Sequence, residues 1–219
     1  KRIHVLHIST AEEMELLRDA KDLASVEVLP NHLTLAAPEC YERLKGFAQQ
    51  NPPVREQRHQ DALWRALNAG IVDVLATDHA PHTREEKERP YPASPSGMPG
   101  VQTMVPVMLT HVNNGKLTLQ RFVELTSAGP QRVFGLADKG RIAEGYHADF
   151  TVVDLKRKET ITEEWSKSKC GWTPYDGFEA TGWPVATIIR GGFVMRDGEI
   201  VKKGGGQPVR FNETLEPMG

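Results

Sequence analysis

Cysteine is nearly absent from this 219-residue chain: only Cys40 and Cys170 occur, too few and too far apart for a disulfide framework or a thiolate metal site. That scarcity points to a reducing, cytoplasmic setting. Excess charge of either sign is missing as well. Lys plus Arg total 27 against 29 Asp plus Glu, a formal net charge of -2, so there is no basic field for nucleic acid or an anionic membrane. The longest apolar runs, such as VPVMLTHV, fall far short of the roughly 20 residues a membrane helix needs, and no stretch resembles a signal peptide. A Gly-rich phosphate loop, a nucleophile elbow and a CxxC pair are all lacking. What is left is a soluble globular chain of one or two domains. It opens on Lys1-Arg2-Ile3 without a methionine, and the expectation is of a piece of a longer protein.

What is present has an alternating rhythm. RIHVLHIST reads as a strand, and MELLRDAKDL after it as a helix, with Thr10 as N-cap and Glu13 completing a capping box. SVEVLP reads as a second strand, followed by a long connection in which PECYERLKGFAQQ can carry a short helix. EQRHQDALWRALNAG is amphipathic and closes at Gly70, and IVDVLATD is a buried-type strand. This is the βαβ pattern of a parallel sheet. Residues 83–100 are rich in charge, Pro, Ser and Gly and read as a long irregular loop. Helical periodicity returns in VQTMVPVMLTHVNNG and in LTLQRFVELTSAGPQRVFGL, where Gly129-Pro130 is expected to break one helix before a short one. Beyond Lys139 short strands are separated by glycine turns, with Arg190-Gly191-Gly192 and Asp197-Gly198 as hairpin signals.

The densest chemistry is Asp78-His79-Ala80-Pro81-His82, placed where an apolar strand stops. Carboxyl ends of parallel strands are where ligands bind. Asp78 can ligate a metal or shuttle a proton there; the blander reading makes it a turn cap and both histidines polar loop residues. His7 ends the opening strand and is either a metal ligand or a hydrogen-bonded strand-end residue. Alternation puts His4 on the opposite face, so the two histidines are not a joint chelate. Asn51, in Asn51-Pro52-Pro53, can orient a polar substrate or serve a turn. His32 reads as turn chemistry, and His59, His111 and His147 as surface residues. The four tryptophans look like core or interface anchors.

The string ATDHAPHTREEK resembles the dihydroorotase signature, with Lys87 at its expected spacing. In order along the chain, HVLHIST resembles that family's sixth barrel strand, VEVLPNHLTL its seventh, NPPVR its Asn-Pro-Pro-Leu-Arg segment, and SPSGMPGVQT the loop after the signature. KGRIAEGYHADFTVVD and the later strands resemble the β-sandwich beside the barrel in amidohydrolases. The resemblance implies an α/β fold: residues 1–138 as the C-terminal part of a (β/α)8 TIM-type barrel (about strands 6–8), 139–203 as a β-sandwich module and 204–219 as a loose tail.

It also implies a zinc-dependent cyclic amidohydrolase interconverting N-carbamoyl-L-aspartate and L-dihydroorotate in pyrimidine biosynthesis, with one or two zinc ions in the complete enzyme. On that resemblance His7 is a metal ligand, and Asp78 touches metal and carries a proton from the attacking hydroxide to the ring nitrogen. His82 holds the substrate carboxylate and Asn51 contacts the pyrimidine ring. Hydantoinase-like relatives lack the histidine matching His82, which argues for an acidic substrate. The family's first-strand His-x-His, fourth-strand bridging Lys or Asp and fifth-strand His have no counterpart here, so the expected partner is the N-terminal half of the same protein. A homodimer is among the expected assemblies. Two other readings compete: a hydantoinase or allantoinase acting on uncharged cyclic ureides, and a non-catalytic dihydroorotase-like partner of aspartate transcarbamoylase.

Overall fold

A computed structural model of the chain describes residues 2–212. Three parallel strands, β1 (Ile3–Val5), β2 (Ala24–Val28) and β3 (Val74–Leu75), form a sheet in that order. Register pairs Ile3 with Ala24 and Glu27 with Val74. The central strand β2 is buried throughout, which is why SVEV reads as continuous rather than alternating.

Between β1 and β2 runs α1 (Ala11–Asp19). Its start is the expected capping box: the Thr10 side chain accepts from the Glu13 N–H and the Glu13 carboxylate accepts from the Thr10 N–H. Three helices, α2 (Pro30–Thr34), α3 (Glu39–Leu44) and α4 (Gln57–Asn68), link β2 to β3. The buried face of α4 carries His59, Ala62, Leu63, Ala66 and Leu67, an i, i+3, i+4, i+7, i+8 stripe. His59 was expected at the surface; it lies on this stripe, 5% exposed, with Nδ1 accepting from the Ala11 N–H at 3.0 Å.

After β3 come α5 (Arg84–Lys87), α6 (Met104–Asn113), α7 (Leu119–Val123) and α8 (Gly129–Phe134). Gly129-Pro130 does not break the helix as expected. A π-helical turn at Glu124–Ala128 carries the chain straight from α7 into α8, and Pro130 sits in the first turn of α8, where a missing N–H costs little. Glycine at 129 answers a close approach instead, since a Cβ there would stand 2.2 Å from the Asp73 carbonyl. The main core, with Val26, Val28, Leu63, Leu67, Met108 and Leu125, fills the space between sheet and helices.

Four antiparallel strands follow in sequential order: β4 (Phe150–Thr160), β5 (Glu179–Ile189), β6 (Gly192–Arg196) and β7 (Glu199–Ile200). Both hairpin signals hold: Arg190-Gly191 and Asp197-Gly198 have positive φ at both central positions, which matches the twist of the flanking strands. A second core joins this sheet to the first part through Trp172, Tyr175, Trp183, Val54, Met98 and Val107. Within the expected loose tail, 204–209 lack regular structure, but Arg210–Asn212 return to Gly135–Asp138 through Ala137 N–H to Arg210 O, Asn212 N–H to Gly135 O and an Arg210–Asp138 ion pair. Residues 213–219 of that tail lie outside the described residues. No helix among the described residues is long and apolar enough to cross a membrane.

His111 on α6 also departs from its expected surface position. It is 8% exposed, shares a 2.9 Å hydrogen bond with the Thr34 hydroxyl and packs edge-on against Trp64. Burial, with a smaller contribution from Lys116, pushes its pKa down to about 4. The folded-state value lies below the unfolded one near 6.5, so the unfolded chain binds more protons between the two. Stability from neutral His111 is therefore full above about pH 6.5 and is lost as pH falls toward 4, by about 3 kcal/mol. Denaturant midpoints of the protein should fall more steeply over that window than those of a His111→Gln variant; parallel profiles would refute it.

Candidate functional site

The four residues singled out from the sequence all fall in loops at the carboxyl ends of the parallel strands. His7 lies just beyond β1 and Asp78 just beyond β3, and both have left-handed backbone, φ 38° and 46°. Such conformations in non-glycine residues are sparsely populated and cluster at functional sites. At His7 the turn is held by Glu27, a buried β2 carboxylate that accepts from the His7 N–H at 3.3 Å and pairs with His4 Nε2 at 3.3 Å. His4 is thus spent inside the sheet, as the alternation of the strand predicts.

Asn51 sits beside a buried polar network. The Gln50 side chain meets His32 Nε2 at 2.6 Å and accepts from Asn31 Nδ2 at 2.9 Å, while Asn31 Oδ1 accepts from the Tyr175 hydroxyl at 2.8 Å. His32 Nε2 lies 3.0 Å from the Pro52 carbonyl, so the turn presenting Asn51 is tied to the end of β2. Burial drives His32 down to about 4 and the Tyr175 hydroxyl well above its ordinary range. His32, expected to serve a turn, lies instead within α2 and is deeply buried, and Tyr175 was not foreseen as a contributor.

Residues 77–82 and 96–101 lie side by side. The Ala80 N–H donates to Met98 O at 3.1 Å, and His79 Nδ1 accepts from the N–H groups of Gly100 (3.0 Å) and Val101 (3.3 Å). That places the His79 proton on Nε2. His82 Nε2 donates to Ser96 O at 3.1 Å, its Nδ1 stands 3.7 Å from Glu86, and its carbonyl accepts from Trp172 Nε1 at 2.8 Å. The Thr83 N–H and hydroxyl hold the Glu86 carboxyl below the usual carboxylate range. Residues 83–100 open with a second capping box at Thr83 and Glu86; residues 88–93 are exposed, whereas 94–100 are buried or half-buried against the rest of the site.

A contrast runs through the site. Glu27, His32, His79 and Gln50 are committed to protein partners, whereas the side chains of Asp78, His7 and Asn51 make no hydrogen bond or ion pair among the described residues. Imidazole and carboxylate are zinc donors, so His7 and Asp78 fit such an ion in kind. They do not suffice in number: no group of three His, Cys, Asp or Glu that could hold a metal occurs among the described residues.

A family model described as the amidohydrolase family matches residues 2–201. The chain belongs to the amidohydrolase family. It is similar to the dihydroorotase of Pyrococcus furiosus, 42% identical over 210 residues, covering 95% of this chain and 49% of that one. The Bacillus subtilis dihydroorotase is 39% identical over 206 residues, covering 91% and 47%. Among solved structures, an L-hydantoinase (dihydropyrimidinase) from Arthrobacter aurescens superimposes with a TM-score of 0.88 at 32% identity, covering 92% of this chain and 46% of that one. The chain spans about half the length of the curated relatives it matches. These likenesses give this amidohydrolase an α/β fold of the family type.

Proposed function

We propose that the full-length protein is a zinc-dependent cyclic amidohydrolase that interconverts N-carbamoyl-L-aspartate and L-dihydroorotate. The observation that supports this reading is that His7, Asp78 and Asn51, in loops that follow the carboxyl ends of the parallel strands, have side chains with no protein partner among the described residues, with His82 four residues beyond Asp78. On this reading residues 1–138 are barrel strands 6–8 with their helices, 139–203 the β-sandwich module and 204–219 the tail. The rest of the protein completes both layers, covering apolar side chains exposed here such as Val152, Phe193 and Ile200. A cytoplasmic homodimer is the assembly proposed.

His7 and Asp78 hold the metal together with ligands from outside this chain. The chemistry a bound zinc supplies is Lewis acidity, polarising the scissile carbonyl and acidifying water. Asp78 takes the proton of the attacking water and delivers it to the ring nitrogen as the amide C–N bond breaks, so the ring opens without net proton change at the carboxylate. Asn51 hydrogen-bonds the ring. With Nε2 donating to the Ser96 carbonyl, Nδ1 of His82 meets a substrate carboxylate only as the second N–H of an imidazolium, in competition with the Glu86 carboxylate 3.7 Å away.

Similarity to a hydantoinase structure raises the alternative of an uncharged ureide as substrate. His82 separates the two. In the full-length enzyme His82→Ala should raise KM for dihydroorotate by about 10-fold or more and leave kcat within a few-fold, since it removes binding shared by ground and transition states. An unchanged KM would contradict a carboxylate-binding His82.

A further inference from the structure

Lys87 is 1% exposed, and no carboxylate pairs with its ammonium among the described residues. Nζ donates to the carbonyls of Gln49 at 3.0 Å and Pro95 at 2.7 Å, with the Trp172 ring centre 5.9 Å away. Burying an ammonium without a counter-ion is costly, and an apolar side chain of similar length would fill the same space at less cost. Burial lowers its pKa to about 8, a mark of that expense. What the ammonium holds explains why it is there.

The Gln49 carbonyl also accepts from the Gly97 N–H at 2.9 Å, and the Gln49 side chain donates to the Ser96 hydroxyl at 3.3 Å. Two residues after Gln49 comes Asn51. One residue after Pro95 comes Ser96, whose carbonyl anchors His82. The lysine's own carbonyl accepts from the Ser94 hydroxyl at 3.2 Å, closing the circuit. A single buried charge thus ties the segment presenting Asn51 to the segment anchoring His82.

We propose that Lys87 is a positioning residue whose buried ammonium sets the separation of Asn51 and His82, and so the fit of a ring bearing a carboxylate. This rests on the reading of Asn51 and His82 as substrate contacts. His7 and Asp78 are placed by the strand ends and Glu27, not by Lys87, so losing the clamp loosens binding and spares the chemical step.

The test compares wild type, Lys87→Met and Lys87→Arg in the zinc-loaded full-length enzyme, by steady-state kinetics and by hydrogen exchange. Lys87→Met should raise KM for dihydroorotate about 10-fold with kcat within about threefold. Lys87→Arg, which keeps charge and donors in a different geometry, should recover part of the loss. Exchange should quicken at the Gly97 amide and not at the β2 amides. Unchanged KM and exchange in Lys87→Met overturn the proposal, as does a joint fall of kcat with faster β2 exchange, which marks general destabilisation. If Lys87→Met does not fold, Lys87→Arg decides alone: raised KM at constant kcat supports the clamp, and unchanged KM overturns it. If wild type does not turn over dihydroorotate, the functional reading fails, and exchange confined to the two segments still decides whether Lys87 holds them.

Discussion

Asp78→Asn in the full-length enzyme should lower kcat by roughly 10²–10⁴-fold, the range for loss of a positioned general base. Asparagine is the informative replacement because position 78 has φ 46°, and Asn tolerates the left-handed region that alanine does not. The backbone turn beyond β3 is then preserved and only the basicity of the side chain is lost. Nothing else among the described residues uses that carboxylate, so the fold has no stake in it. Zinc content measured alongside kcat separates a lost base from a lost ligand. A variant within about threefold of wild type would show that Asp78 carries no proton.

Gly97→Ala should be the most damaging small change near the site, destabilising the protein by about 3 kcal/mol or more. Residue 97 has φ 137°, and a Cβ there would stand 2.4 Å from the Ala80 carbonyl and 2.9 Å from the Ala80 side chain. Neither can move easily, because Ala80 is bonded to Met98 through its N–H. Gly70→Ala supplies the control: φ is 81° but nothing lies within 4 Å of the added carbon, so only backbone strain of about 1 kcal/mol is expected. Denaturant midpoints that fall equally in the two variants would show that close approach is not what demands glycine at 97.

These two residues show how the sequence was and was not legible. Asp78 stood out because a carboxylate and two histidines follow an apolar run at once, and strand ends in parallel sheets are where chemistry is placed. The capping box at Thr10 and the two hairpin turns were readable because local backbone geometry demands those residue types. Gly97 carried no such signal. Its role depends on two segments lying side by side, and residues 83–100 have no periodicity to announce that. Lys87 stood out as the last residue of the signature-like string, but its burial was not legible, because it comes from tertiary contacts with the Gln49 and Pro95 carbonyls. His59 was legible and missed, since the stripe on α4 includes it. The π-helical turn before Gly129-Pro130 was not legible, because local breaker rules omit the packing of α8 against β3 that keeps the helix continuous.

The central claim is that this site serves a cyclic substrate bearing a carboxylate. It is tested most directly by comparing L-dihydroorotate with hydantoin as substrates of the zinc-loaded full-length enzyme in one assay. Because a site that pairs a substrate's charged group discriminates against analogues lacking it, kcat/KM should favour dihydroorotate by roughly 100-fold or more. Equal or better turnover of hydantoin, or no turnover of dihydroorotate by the zinc-loaded enzyme, would contradict it.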